Sequence, residues 1–116
     1  MNNFKIIAIT LLVTISLFIN LQDVSAKENI PITHIHGIAV NPNNPDTLYV
    51  ATHIGLLLCN AKECELVGND RSDYMGFAIS TDGKTFFTSG HEQPTGRNRG
   101  LRRSVDMGKS WEILSL

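Results

Sequence analysis

Two stretches of this chain carry the same sequence pattern, one about 39 residues after the other. Residues 36–40 align with residues 75–79 at an offset of 39, and residues 47–53 align with residues 85–91 at an offset of 38. Each copy alternates β-rich apolar runs with turns rich in Asn, Pro, Asp and Gly, which is typical of short strands. A repeat of this length indicates stacked β-units rather than a helical array.

Each copy contains four predicted strands. They are expected at residues 35–40, 47–52, 55–59 and 64–67 in the first copy, and at residues 75–80, 85–89, 100–104 and 110–115 in the second. The connections at residues 41–46 and 81–84 have strong turn compositions. The sequence therefore predicts an all-β fold with two four-stranded antiparallel units, one over residues 34–70 and one over residues 71–116.

The first 26 residues have the three parts of a secretory signal peptide. A positively charged start that includes Lys5 precedes the apolar run Ile6–Ile19, and Val24-Ser25-Ala26 offers a cleavage site between small residues. The run of about 14 residues is shorter than the roughly 20 that a permanent membrane helix needs. We expect a signal helix over residues 1–26, a linker over residues 27–33, and a secreted chain without a stable membrane span.

The two cysteines, Cys59 and Cys64, are separated by four residues in a predicted hairpin. In an exported chain, an even cysteine count without metal-ligand spacing favours a disulfide over a zinc site. Two buried free thiols remain the alternative.

The segment from Ser104 to Trp111 resembles the Asp-box, or bacterial neuraminidase repeat, of sialidase-type β-propellers. The matching positions are Ser104, Asp106, Gly108, Ser110 and Trp111, and Met107 stands where this family often has Gly. The resemblance implies a hairpin in which the Asp side chain binds turn amides, Gly takes an open backbone angle, and the aromatic ring packs between blades. A chance turn before a strand is the other interpretation.

Further segments are similar to the first blades of exported bacterial proteins named sialidase-like or sortilin-like glycosyl hydrolases; these are residues 35–37, 48–55, 75–77 and 89–91. The resemblance implies a partial β-propeller of two blades. Propellers have about four to eight blades, so an N-terminal fragment is expected, although other chains could supply the remaining blades. The family name implies a glycosyl hydrolase, but this chain alone is not expected to be a competent enzyme. The alternative is an extracytoplasmic module that binds a carbohydrate, a protein or a metal ion.

The four histidines are expected at one rim of the two units. His34 and His36 are two residues apart at the entrance of a strand, and His53 and His91 follow equivalent strands. Imidazoles that converge there could bind a transition metal ion, and Asp70, Asp73 and Glu92 lie near enough in sequence to complete a site. Backbone capping by each histidine and contact with another ligand are the alternatives.

The basic residues form one sequence cluster, at Arg97, Arg99, Arg102 and Arg103. Sialidases clamp a substrate carboxylate with three arginines from separate blades, whereas these four are adjacent, so a solvated loop is the better interpretation. The whole chain has ten Lys and Arg against eleven Asp and Glu. This near-neutral balance argues against a nucleic-acid partner.

Overall fold

The computed structural model describes residues 30–32 and 34–114. The predicted signal helix over residues 1–26 and most of the linker lie outside the described residues. The described chain forms eight strands: β1 Ile35–Val40, β2 Leu48–Thr52, β3 Gly55–Cys59, β4 Cys64–Leu66, β5 Asp73–Ile79, β6 Phe86–His91, β7 Asn98–Ser104 and β8 Glu112–Ile113. No helix of the described part is long and apolar enough to cross a membrane.

The strands form two four-stranded antiparallel sheets, as the repeat predicts. Sheet 1 has the order β1-β2-β3-β4, and sheet 2 has the order β5-β6-β7-β8. Each sheet is a meander, because every strand pairs with the next one along the chain. The prediction of an all-β fold with two such sheets is therefore confirmed.

The two sheets share an irregularity that the sequence alignment does not show. In sheet 1, Ile35 pairs with Thr52 and Gly37 with Ala51, so His36 is an extra residue that bulges out of the ladder. In sheet 2, the register shifts at the same place in the repeat, and Met75 is the bulged residue. The first two strands of each copy are therefore equivalent in register, whereas β6 and β7 shift between Ser89 and His91 and β2 and β3 pair without a shift.

Some strand ends differ from the predicted ones. β7 begins at Asn98 rather than at residue 100, because the backbone N–H of Glu92 donates to the carbonyl of Arg97 at 2.8 Å and closes the loop early. β8 covers only two residues, since the preceding turn holds the chain as far as Trp111. The backbone N–H of Leu114 still donates to Leu101 at 2.8 Å, which continues the pairing beyond β8.

The core lies between the sheets and is mainly aromatic. Its buried members are Tyr49, Ala51 and Leu56 from sheet 1 and Tyr74 and Phe86 from sheet 2. The Tyr49 and Phe86 rings meet edge to face with centroids 4.8 Å apart. Full burial of one such side chain contributes roughly 1.5–3 kcal/mol, so this interface holds the sheets together.

A second apolar cluster covers part of the opposite face of sheet 1. Val50, Leu57 and Cys59 are buried there, with Ile30 packed against them. Cys59 and Cys64 are cross-strand partners of β3 and β4 and form a disulfide. The predicted disulfide is therefore confirmed.

The turn between β7 and β8 is closed by side chains of the sequence pattern from Ser104 to Trp111. Oγ of Ser104 donates to Oδ1 of Asp106 at 2.7 Å and accepts from the backbone N–H of Gly108 at 2.8 Å. Asp106 also accepts from the backbone N–H of Ser110 at 2.9 Å and from its hydroxyl at 2.5 Å. These bonds lower the pKa of Asp106 to about 2, the hydroxyl of Ser110 contributing most.

Two further members of the pattern connect this turn to the core. Gly108 has a φ of 86°, and Met107 before it also takes a positive φ, of 59°. Trp111 meets the Tyr74 ring edge to face at 5.7 Å between centroids and packs against the core between the sheets.

Candidate metal centre

Three ligand-type side chains converge where the two sheets meet, at the rim from which β1 and β5 start. They are His36 in the bulge of β1, His53 just after β2, and Asp73 at the start of β5. One ligand atom from each lies within 4.8 Å of the others. The group therefore takes residues from both sheets, and it can form only when the sheets are packed together.

The bulge is what aims His36 at its neighbours. In a regular strand, His36 would alternate with Ile35 and Gly37, but the extra residue shifts this alternation at the strand entrance. His53 lies in the tight turn between β2 and β3, which Gly55 completes with a φ of 127°. A β-carbon on Gly55 would stand 2.7 Å from the carbonyl oxygen of Asp70, so the chain to β5 passes very close to this turn.

The distances within the group suit a metal ion. Nε2 of His36 lies 3.4 Å from Nε2 of His53, and 3.7 Å from Oδ1 of Asp73. Two nitrogens bound to one tetrahedral zinc ion at about 2.0–2.1 Å lie about 3.3 Å apart. The pair of imidazoles is thus already close to the spacing of two zinc ligands.

Asp73 also fixes the orientation of one imidazole. Its Oδ2 lies 2.8 Å from Nδ1 of His53, which donates to it, and Nε2 of His53 faces Nε2 of His36. A carboxylate behind a ligating histidine is the usual arrangement around protein-bound metals. Oδ1 of Asp73 is buried and has no hydrogen-bond partner among the described residues. While Oδ2 accepts from Nδ1 of His53, the carboxylate lies on the far side of that ring from Nε2, so Asp73 can ligate an ion at Nε2 only if this hydrogen bond is broken.

The other two histidines hold different positions. His34 precedes β1 with a φ of 54°, so the two-residue alternation expected for His34 and His36 does not apply. Its ring still contacts that of His53, at 4.8 Å between centroids. His91 is the cross-strand partner of Asp73, but it is not part of the converging group, and its buried Nδ1 has no hydrogen-bond partner among the described residues.

The repeat places Asp73 and His91 in sheet 2 at the positions that His34 and His53 hold in sheet 1. The offset of 39 makes Asp73 the counterpart of His34, and the offset of 38 makes His91 the counterpart of His53. Each sheet therefore has two polar residues at the rim where its first strand begins and its second strand ends, His34 and His53 in sheet 1 and Asp73 and His91 in sheet 2. Sequence reasoning named Asp73 only as one of three acidic residues near the histidines, because spacing alone could not select it.

The arginine cluster has a different arrangement from the one expected. Arg102 is 2% exposed rather than solvated: it pairs with Asp70, and its guanidinium lies over the Tyr74 ring at 5.0 Å and the Trp111 ring at 5.6 Å. It faces the core because it is the cross-strand partner of buried Thr88.

The other three arginines also have carboxylate partners. Arg97 and Arg99 reach Glu92 at 2.6 and 3.9 Å, and Arg103 reaches Glu112 at 2.5 Å on the opposite face of sheet 2. The four guanidinium groups are thus engaged within the chain and do not converge on one point.

A cavity of about 440 Å³ lies beside Arg102, and Asp70, Arg99, Trp111 and Ile113 are among its lining residues. Burial opposes the charge of Asp70, but two hydrogen bonds from Ser72 and the positive charge of Arg102 hold the pKa of Asp70 below its ordinary value. Asp70 already pairs with Arg102, but Nε and Nη2 of Arg102 have no hydrogen-bond partner among the described residues.

No family model, curated protein or solved structure matches this chain.

Proposed function

We propose that this protein is an exported metal-binding module made of two β-propeller blades, and that it binds a zinc-class divalent ion through His36, His53 and Asp73. The convergence of these three side chains from both sheets carries the proposal. Two imidazoles and one carboxylate are a donor set that suits zinc and other late first-row metal ions.

The assignment of the sheets as propeller blades is supported by their repetition and by the turn chemistry. Both sheets are four-stranded meanders with a bulge at the same position, and sheet 2 closes with the hydrogen bonds expected of an Asp-box. The disulfide between Cys59 and Cys64 supports export, since disulfides persist mainly in oxidising compartments.

The chemistry of the site explains how an ion would be held. In the metal-free protein, Nδ1 of His53 lies 2.8 Å from Oδ2 of Asp73, and Nε2 of His53 faces Nε2 of His36. An ion would bind at the two Nε2 atoms in place of any proton that they share. For Asp73 to join them, its carboxylate would have to give up its hydrogen bond with Nδ1 of His53. Three protein ligands would leave one coordination position for His34, for water or for a ligand.

The resemblance to glycosyl hydrolases contributes to the proposal only through the fold. An arginine clamp for a substrate carboxylate requires free guanidinium groups, and the four arginines at residues 97–103 pair with carboxylates of the chain itself. Binding therefore has more support from the described residues than hydrolysis.

Calorimetric titration of chelator-treated protein with zinc chloride tests the proposal. We expect one ion per chain, and a loss of affinity on the order of 100-fold or more in His36→Ala and in His53→Ala. Asp73→Asn should lose about 10–100-fold, since an amide can still accept from His53 but is a poor zinc ligand.

His91→Ala is the matched control, because His91 occupies the equivalent corner of sheet 2 without joining the group. It should bind zinc as the unmodified protein does. Circular dichroism must show that all variants fold. Unchanged zinc binding in both His36→Ala and His53→Ala would contradict the proposal.

A further inference from the structure

The two faces of each sheet have different roles in packing. We call the face of sheet 2 that meets sheet 1 its front; Phe77, Phe86 and Thr88 lie on it. We call the face of sheet 1 that packs against this front the back of sheet 1; Tyr49 and Ala51 lie on it. A front therefore packs against a back in this molecule.

The repeat also identifies the outward-facing side of each sheet, by comparison with the equivalent residues of the other sheet. Residues Ile38, Val40, Leu48 and Val50 lie on one face of sheet 1, since they are cross-strand partners. The offsets of 39 and 38 make them the counterparts of Phe77, Ile79, Phe86 and Thr88. The outer face of sheet 1 is therefore a front, equivalent to the face of sheet 2 that is already packed.

Within the described part of the chain, the front of sheet 1 is apolar and largely uncovered. Ile38 and Val40 are 59% and 56% exposed, and Leu48 is 38% exposed. Ile30 packs against the cluster of Val50, Leu57 and Cys59 elsewhere on this face, and the three exposed residues are not part of that cluster. Contiguous exposed apolar residues of this kind mark surfaces that bind another protein.

The back of sheet 2 shares the small residues of the back of sheet 1, but it has Arg103, paired with Glu112, where sheet 1 has Leu58. In sheet 1, close approach depends on small residues, since a β-carbon on Gly37 would stand 3.2 Å from Cβ of Phe77. The counterparts in sheet 2 are Gly76, Ala78 and Ser89, with Phe87 in the place of Tyr49. Ala78 and Ser89 are exposed.

We propose that the front of sheet 1 docks on the back of sheet 2 of a second copy of this chain, with the geometry that joins sheets 1 and 2 within one copy. The occupant is a second copy because that back is the counterpart of the surface on which the equivalent front already packs. The contact is head-to-tail, so successive copies either close a ring or extend as an open array. The proposal rests on the repeat and is independent of metal binding.

Sedimentation velocity of the purified protein over a range of concentrations tests the association. We expect complexes of two or more copies that grow in population with concentration. Ile38→Glu places a charge on the front of sheet 1, and Ala78→Glu places one on the back of sheet 2. Both residues are exposed in the single chain, so neither change should prevent folding. Each variant alone should stay monomeric.

Mixing the two variants tests the direction of the contact. Ile38→Glu keeps an intact back and Ala78→Glu keeps an intact front, so the mixture should form a one-to-one complex and no larger species. Val105→Glu is the matched control, since Val105 is 72% exposed in the β7–β8 turn, away from both faces, and should associate as the unmodified protein does.

Two results would overturn the proposal. An unmodified protein that stays monomeric at all accessible concentrations would contradict docking itself. Self-association of Ala78→Glu alone would show a front-to-front contact instead. Zinc titration of the monomeric variants separates this test from that of the metal site, because His36, His53 and Asp73 all belong to one chain.

Discussion

Leu56 of β3 lies directly against Gly108 of the β7–β8 turn. A β-carbon added to Gly108 would stand 2.6 Å from Cδ2 of Leu56, closer than van der Waals contact allows. The β7–β8 turn is therefore also a packing element between the sheets. The local pattern and the tertiary contact require the same residue, but for different reasons.

Gly108→Ala should destabilise the protein through both effects. The positive φ costs about 1–2 kcal/mol for a residue with a side chain, and overpacking against Leu56 adds about 1–3 kcal/mol. Gly100→Ala is the control, since Gly100 has a φ of 65° but no atom within 4 Å of the added carbon. Urea unfolding should show a clearly larger loss for Gly108→Ala, and equal losses would show that Leu56 yields without cost.

Asp106 should make stability depend on pH in the acidic range. Its pKa falls from the ordinary 3.8 to about 2 in the folded protein, because its ionised form accepts bonds from Ser110 and Ser104. The stabilisation is therefore present above about pH 4 and is lost as the pH falls towards 2.

Asp106→Asn should remove this part of the pH dependence. The difference in unfolding free energy between the unmodified protein and the variant should shrink as the pH falls from 5 to about 2. Asp46→Asn, in an exposed turn of sheet 1, controls for the loss of one negative charge. A difference that stays constant with pH would contradict this prediction.

Removing Asp70 and removing Arg102, the two partners of a buried ion pair, should lower the stability of the protein by different amounts. Asp70→Asn leaves the buried guanidinium without its counter-charge and should cost about 3 kcal/mol, the lower end for buried pairs since Asp70 is 17% exposed. Arg102→Met should cost less, because Asp70 keeps its hydrogen bonds from Ser72 and methionine still packs on Tyr74 and Trp111.

A double-mutant cycle checks this inequality. The combined variant Asp70→Asn, Arg102→Met should be more stable than Asp70→Asn alone, since no unpaired buried charge remains. Strictly additive losses in denaturant unfolding would show that the two side chains act independently.

The sequence determined the elements that depend on local chemistry. Strand order, the antiparallel arrangement and the disulfide of Cys59 and Cys64 follow from short-range patterns, because hairpins pair neighbours in the chain and their turn residues restrict the backbone. The 39-residue repeat predicted that two equivalent sheets would form.

Tertiary structure decided which side chains meet. His53 and Asp73 belong to different sheets, so their contact depends on how the sheets pack, and the bulge at His36 is visible only in the strand register. Arg102 belongs to a basic run that looks solvated, but the alternation of β7 turns it into the core, where Asp70 compensates its charge. Local patterns fix backbone form, whereas the site depends on contacts between residues distant in sequence, which a single repeat period does not specify.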